Sequence, residues 1–166
     1  MKRLHLIAIA MLSVMIACNS NSDNTTKITT DSSTTKMSDN NGMSNGMDLP
    51  AVPDGAKVYF ANLKDGQTVT SPLKVEFAVT NLSVDSAGMV KAGSGHHHLL
   101  VDAGDSTAMG TMVAKDSTHL HFGNAQKETT LHLTPGKHRL ALQFADGMHR
   151  SYGSRLSNAI TIEVKK

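Results

Sequence analysis

Eight of the nine histidines of this 166-residue chain lie beyond residue 95, and seven fall between His96 and His138. His96, His97 and His98 are consecutive, and His119-Leu120-His121 follows. On a β-strand successive side chains leave opposite faces, so His96 and His98 share one face while His97 takes the other. Residues two apart on a strand are separated by about 6.6 Å at the backbone, a span over which two imidazoles reach a single metal ion. His119 and His121 repeat that geometry. Two such strands facing one another supply three or four nitrogen donors suited to Cu(II), Zn(II) or Ni(II). His96, His98, His119 and His121 are therefore the expected ligands, with copper or zinc as the expected metal. Asp102 continues the parity of His96 and His98 and is placed to ligate or to orient a ring. His97, His138 and His149 complete the pool of further donors.

A plainer chemistry competes with this one. A histidine near a sheet edge commonly hydrogen-bonds a loop carbonyl, and Gly95-His96-His97-His98 could stitch loops together in that way. His132 alternates with Leu131 and Leu133 and is expected to face solvent. Catalysis finds little support: the chain has no Gly-X-Ser-X-Gly elbow, no Walker loop, no His-Glu-X-X-His and no cysteine nucleophile in the histidine-rich region. Asp102 and Glu128 are available carboxylates for a hydrolytic centre, but no spacing singles them out.

The elements that must hold these residues are strands. Leu73, Val75, Phe77 and Val79 alternate with Lys74, Glu76, Ala78 and Thr80; Leu140, Leu142 and Phe144 alternate with Arg139, Ala141 and Gln143; Ile160, Ile162 and Val164 alternate with Thr161 and Glu163. A period of two marks half-buried strands. Shorter runs at Val58–Phe60, His97–Val101, His119–Phe122 and Thr129–Leu133 bring the number to about seven. Turns are signalled at Asp65-Gly66, Ser71-Pro72, Gly123-Asn124, Pro135-Gly136 and Asp146-Gly147, and no amphipathic helix is evident. The expectation is an all-β fold, an immunoglobulin-like antiparallel β-sandwich spanning residues 55–166, with a core of aliphatic side chains and a few Phe.

Ahead of that domain the composition changes twice. Lys2 and Arg3 precede an apolar run to Ala17 that is too short to span a bilayer, and Met15-Ile16-Ala17-Cys18 resembles a bacterial lipobox. Residues 1–17 are thus expected to be a cleaved lipoprotein signal peptide. Cys18, the only cysteine, is expected to carry the lipid, since it has no disulfide partner within the chain. From residue 18 to 54 the chain is dominated by Ser, Thr, Asn, Asp and Gly, a composition that reads as a disordered tether. Met37, Met43 and Met47 lie in it without a neighbouring His or Cys and are read as linker residues. These features place the protein in the cell envelope, held to a membrane through Cys18. Asn19 follows where inner-membrane retention would favour Asp, so the outer membrane is the expected home in a Gram-negative cell. Loss of Lys2 and Arg3 leaves fourteen basic and fourteen acidic residues, and with no basic stripe nucleic acid is not an expected partner.

Several blocks together resemble the domain-of-unknown-function family 4399. They are Val58-Tyr59-Phe60, Asp65-Gly66 with Ser71-Pro72, Gly95-His96-His97-His98-Leu99-Leu100-Val101-Asp102, His119-Leu120-His121-Phe122-Gly123 and Pro135-Gly136-Lys137-His138. The resemblance implies an exported immunoglobulin-like β domain and brings no settled activity. The chain departs from the family pattern at Asn124–Glu128, and past Asp146 it keeps His149 but lacks a second histidine and paired prolines. A fainter likeness, through Asp146-Gly147-Met148-His149, is to small periplasmic copper-binding β-sandwich proteins. Three functions remain open at this level: a metal-binding envelope lipoprotein without catalysis, an immunoglobulin-like module engaging an envelope protein partner through a fold stitched by hydrogen-bonded histidines, and a small metalloenzyme.

Overall fold

The structure, a computed structural model, describes residues 48–166. The signal peptide, Cys18 and the linker as far as residue 47 lie outside the described residues. Nine strands follow one another: β1 (Lys57–Phe60), β2 (Gln67–Val69), β3 (Leu73–Thr80), β4 (Ser83–Val84), β5 (Ser94–Val101), β6 (His119–Phe122), β7 (Glu128–Leu131), β8 (Gly136–Ala145) and β9 (Ser157–Val164). A single 3₁₀ turn at Gly153–Leu156 sits between the last two. All seven runs singled out in the sequence, three with two-residue alternation and four shorter ones, coincide with strands. The two additional ones, β2 and β4, are three and two residues long, too short to display a period of two.

The strands form a sandwich. One sheet has the order β1-β3-β7 and the other runs β2-β9-β8-β5, with β4 and β6 also pairing with β5. In strand order, β1, β3 and β7 occupy the places of strands A, B and E of an immunoglobulin sandwich, and β5, β8 and β9 those of C, F and G. The long ladders are antiparallel, as expected, whereas the short β2–β9 and β4–β5 pairings are parallel. Between the sheets lie Val75 and Phe77 of β3, Leu99 of β5, Phe122 of β6, Leu140, Leu142 and Phe144 of β8, and Ile160, Ile162 and Val164 of β9. These are the odd or even members of each alternating run, so the sequence period translates directly into the buried face.

Residues 48–54, assigned to the linker on composition, are folded onto the sandwich. Leu49 and Val52 pack against the core, the Arg155 guanidinium donates to the Val52 carbonyl, and the Gly93 amide donates to the Ala51 carbonyl.

The residues of β5 from Ser94 to Leu100 are buried on both faces, where a sheet strand of a small sandwich would ordinarily expose one. The outer face of β5 and β8 is covered by the connections on either side. Thr107 of the β5–β6 connection donates its amide to the Gln143 side chain, and the Ser151 hydroxyl donates to the Thr107 carbonyl. The Val113 amide donates to the His149 carbonyl. The Gly88 amide, in the β4–β5 connection, donates to the Gly147 carbonyl. A pocket is thereby made on the outer face of the sheet, remote from the inter-sheet core.

Candidate metal centre

The pairing of β5 with β6 brings the two His-X-His segments side by side: His98 stands opposite His121, Leu100 opposite His119, and His97 opposite Phe122. Opposed residues of an antiparallel pair point the same way, so His96, His98, His119 and His121 share the outer face. On the other side of β5, Ala145 lies opposite His96, Gln143 opposite His98 and Ala141 opposite Leu100. Ala145 leaves room beside the His96 imidazole. Gly123 serves the same end, because a Cβ there would overlap the His121 ring.

Within this pocket four rings meet. Ring centroids are 4.9 Å apart for His96–His98, 5.1 Å for His96–His121, 4.9 Å for His96–His149 and 4.8 Å for His121–His149. The Nε2 atoms of His96 and His98 are 3.1 Å apart, and those of His121 and His149 are also 3.1 Å apart. Donor atoms of His96, His121 and His149 all lie within 4.8 Å of one another, close enough to hold a metal ion. Nitrogens bound at 2.0–2.1 Å to one ion are about 3.3 Å apart in a tetrahedron and about 2.8 Å apart as neighbours in a square. The two observed pairs fall between these values, and His98 joins the trio through its approach to His96.

His149 reaches the pocket on a turn rather than a strand. Asp146 is fully buried and its carboxylate accepts the amides of Met148 and Arg150 on Oδ1 and the Arg150 guanidinium on Oδ2. The His149 amide donates to the Asp146 carbonyl, closing the turn, and His149 itself takes φ 65°, a left-handed conformation in which histidine is enriched among non-glycine residues. The buried Asp146–Arg150 pair thus fixes the backbone that aims the fourth ring.

Charge is disfavoured on His96, His98 and His121. Burial, reinforced by the neighbouring His149 and His121, holds His96 down at about 4; burial and the three other imidazoles of the cluster, together with His119, hold His98 down at about 2. His121 is also lowered, first by burial and then by His149. Near neutral pH His96 and His98 are uncharged, the state in which an imidazole nitrogen ligates.

The remaining histidines occupy other surroundings. His119 shares the outer face, but its Nδ1 lies 2.9 Å from Oδ1 of Asp116, and that carboxylate also accepts the amides of Thr118 and His119. His138 and Asp102 form a pair of their own: His138 Nδ1 is 2.8 Å from Asp102 Oδ2, its Nε2 bonds the Thr134 carbonyl, and Asp102 Oδ1 accepts the Arg139 amide. The hydrogen bond to Asp102 raises His138 against the opposing effect of burial. That pair is apart from the ring cluster. His97 points between the sheets, 5.3 Å from the Phe77 ring and 5.2 Å from the Phe144 ring, with neither nitrogen hydrogen-bonded. His132 is exposed. Sequence parity brought out His96, His98 and His121; the place of His149, and the partnership of Asp116 with His119, depend on loop geometry. A usable signal for the first was Asp146 followed four residues later by Arg150, around a histidine.

The architecture is that of an immunoglobulin-like sandwich carrying an imidazole cluster on the outer face of its larger sheet. Residues 75–165, more than half of the chain and all of the site, match the model of the domain of unknown function DUF4399, and the chain belongs to that family. No curated protein and no solved structure matches it.

Proposed function

We propose that this protein is a lipid-anchored cell-envelope protein whose sandwich binds one transition-metal ion, copper or zinc, without catalysis. His96, His98, His121 and His149 are the ligands. The observation that carries this reading is the convergence of four imidazoles in a pocket closed by loops, with two Nε2–Nε2 approaches of 3.1 Å. The reading of these residues as hydrogen-bonded structural histidines is less well served. His96 and His98 bond no loop carbonyl, and their Nδ1 atoms have no protein partner among the described residues. His138 is the histidine that plays such a part, through Asp102 and Thr134.

His119 and Asp116 stand beside the four as a carboxylate–imidazole pair of the kind that flanks metal centres. The membrane attachment rests on the lipobox-like Met15–Cys18 sequence. An ion held by four protein nitrogens has no position left for substrate, which favours storage, buffering or delivery over turnover.

Elemental analysis of the protein after incubation with Cu(II), Zn(II) or Ni(II) and exhaustive dialysis tests this. One equivalent of a single metal is expected in the native protein and none in a His96→Gln/His149→Gln variant that stays folded. Retention of the metal by that variant, or no metal in either, contradicts the proposal.

A further inference from the structure

The large apolar side chains exposed on the described surface are Tyr59, Met89, Val90, Met109, Met112 and Met148, so four of the six are methionine. All four methionines belong to the connections that cover the outer face of the larger sheet. Met148 immediately precedes His149, and Met112 forms a β-bridge with Arg150, one residue beyond it. Met112 and Met148, 66 % and 53 % exposed, line one open cavity of about 470 Å³ together with Val90, Asp48 and Arg150. Apolar side chains scattered singly over a surface need no explanation, but a contiguous group does.

The chemistry of that group is distinctive. If the cavity served only to present apolar surface, Leu, Ile or Val would do as well as Met. Thioethers differ from those side chains in being soft donors, which select Cu(I) and similar d¹⁰ monovalent ions over Zn(II) and the harder divalent metals. Such ions accept low coordination numbers, so two thioethers can form the core of a site. Asp48 adds a carboxylate to the same cavity, favourable to a cation, and Arg150 is engaged by Asp146.

We infer that Met112 and Met148, which line one cavity beside the His149 turn, form a separate thioether site for a soft monovalent cation, Cu(I) or Ag(I). The site uses none of the four imidazoles and stands or falls independently of their metal. Met148 lies on the turn that carries His149, and Met112 is bridged to that turn at Arg150.

The test uses the full-length protein labelled with ¹³C at the methionine methyl groups, titrated with Ag(I) as a redox-inert probe, with signals assigned by single Met→Leu variants. The Met112 and Met148 methyl resonances are expected to shift together at one equivalent, and Met112→Leu/Met148→Leu to lower the affinity of that site at least tenfold. In the same variant Zn(II) or Cu(II) binding is expected to be unchanged, while His96→Gln/His149→Gln keeps the Ag(I) response. If the two methyl signals do not move at stoichiometric Ag(I), or if the double Leu variant binds as tightly as the native protein, the thioether site is refuted whatever the imidazoles bind.

Discussion

His97 illustrates how differently neighbouring histidines of one strand are used. It lies between Phe77 and Phe144 with both ring nitrogens unpartnered, and burial, with lesser contributions from His96 and Lys127, holds it down at about 4. An unsatisfied buried polar group costs on the order of 1–3 kcal/mol, so His97→Leu is expected to stabilise the protein by about that much and to raise its melting temperature. The same residue makes stability depend on pH. Its folded value is below its unfolded value near 6.5, so the unfolded chain binds the extra proton and stability falls as pH drops from about 6.5 towards 4. The contribution is on the order of 3 kcal/mol, and His96 and His98 act in the same direction. Thermal melts between pH 7 and pH 4.5 are expected to show a shallower acid decline in His97→Leu than in the native protein; equal declines would contradict this placement of the ring. His138 has the opposite sign, since Asp102 raises it: its contribution is complete below about 6.5 and is lost as pH climbs through its raised folded value.

Ligation can also be resolved one residue at a time. His149→Ala is expected to weaken metal binding by about a hundredfold and His119→Ala by less than tenfold, because the first removes a converging nitrogen and the second a flanking ring held by Asp116. Calorimetric titration of the two variants makes the comparison, and the reverse ranking would put His119 in the centre in place of His149.

At the level of elements, the site is a product of strand pairing and of glycines that keep space open. A Cβ on Gly123 would overlap the His121 ring, with the Ala87 side chain next at 3.3 Å, whereas one on Gly95 would overlap the backbone of Ala145 and the Phe144 ring. Gly123→Ala is therefore expected to displace His121 and cost metal affinity with little loss of stability. Gly95→Ala is expected to destabilise the β5–β8 ladder by about 1–3 kcal/mol. Denaturant unfolding together with metal titration separates the two outcomes. The strands themselves were legible because β3, β8 and β9 present one apolar face each, and period two fixes which residues turn inward. The parity of His96 and His98 against His97 was legible for the same reason. The pairing of β5 with β6 was not, since strand order depends on contacts between segments distant in the chain. Nor was the role of His149, whose turn is built from a buried carboxylate and its arginine partner. The fate of His119 escaped parity too: it lies on the predicted face, and a local hydrogen bond to Asp116 decides where its ring points.

On the scale of the whole molecule, the sandwich and the site are separable. The inter-sheet core is formed by aliphatic and Phe side chains, and the imidazole pocket lies on the opposite face of the larger sheet. Metal is therefore expected to add to the stability of a fold that forms without it, by about 2.7 kcal/mol when free metal exceeds the dissociation constant a hundredfold. The proposed lipid anchor is tested apart from the metal site. Cys18→Ala is expected to release the protein from the membrane fraction and leave its metal content unchanged, which fractionation with elemental analysis reads directly.

The central claim is the position of one metal ion among four named nitrogens, and anomalous diffraction at the absorption edge of the bound metal addresses it most directly. A single strong peak is expected about 2.0–2.1 Å from Nε2 of His96, His98, His121 and His149. A peak elsewhere, at the Asp116–His119 or Asp102–His138 pair for instance, or a featureless map from metal-saturated crystals, would contradict it.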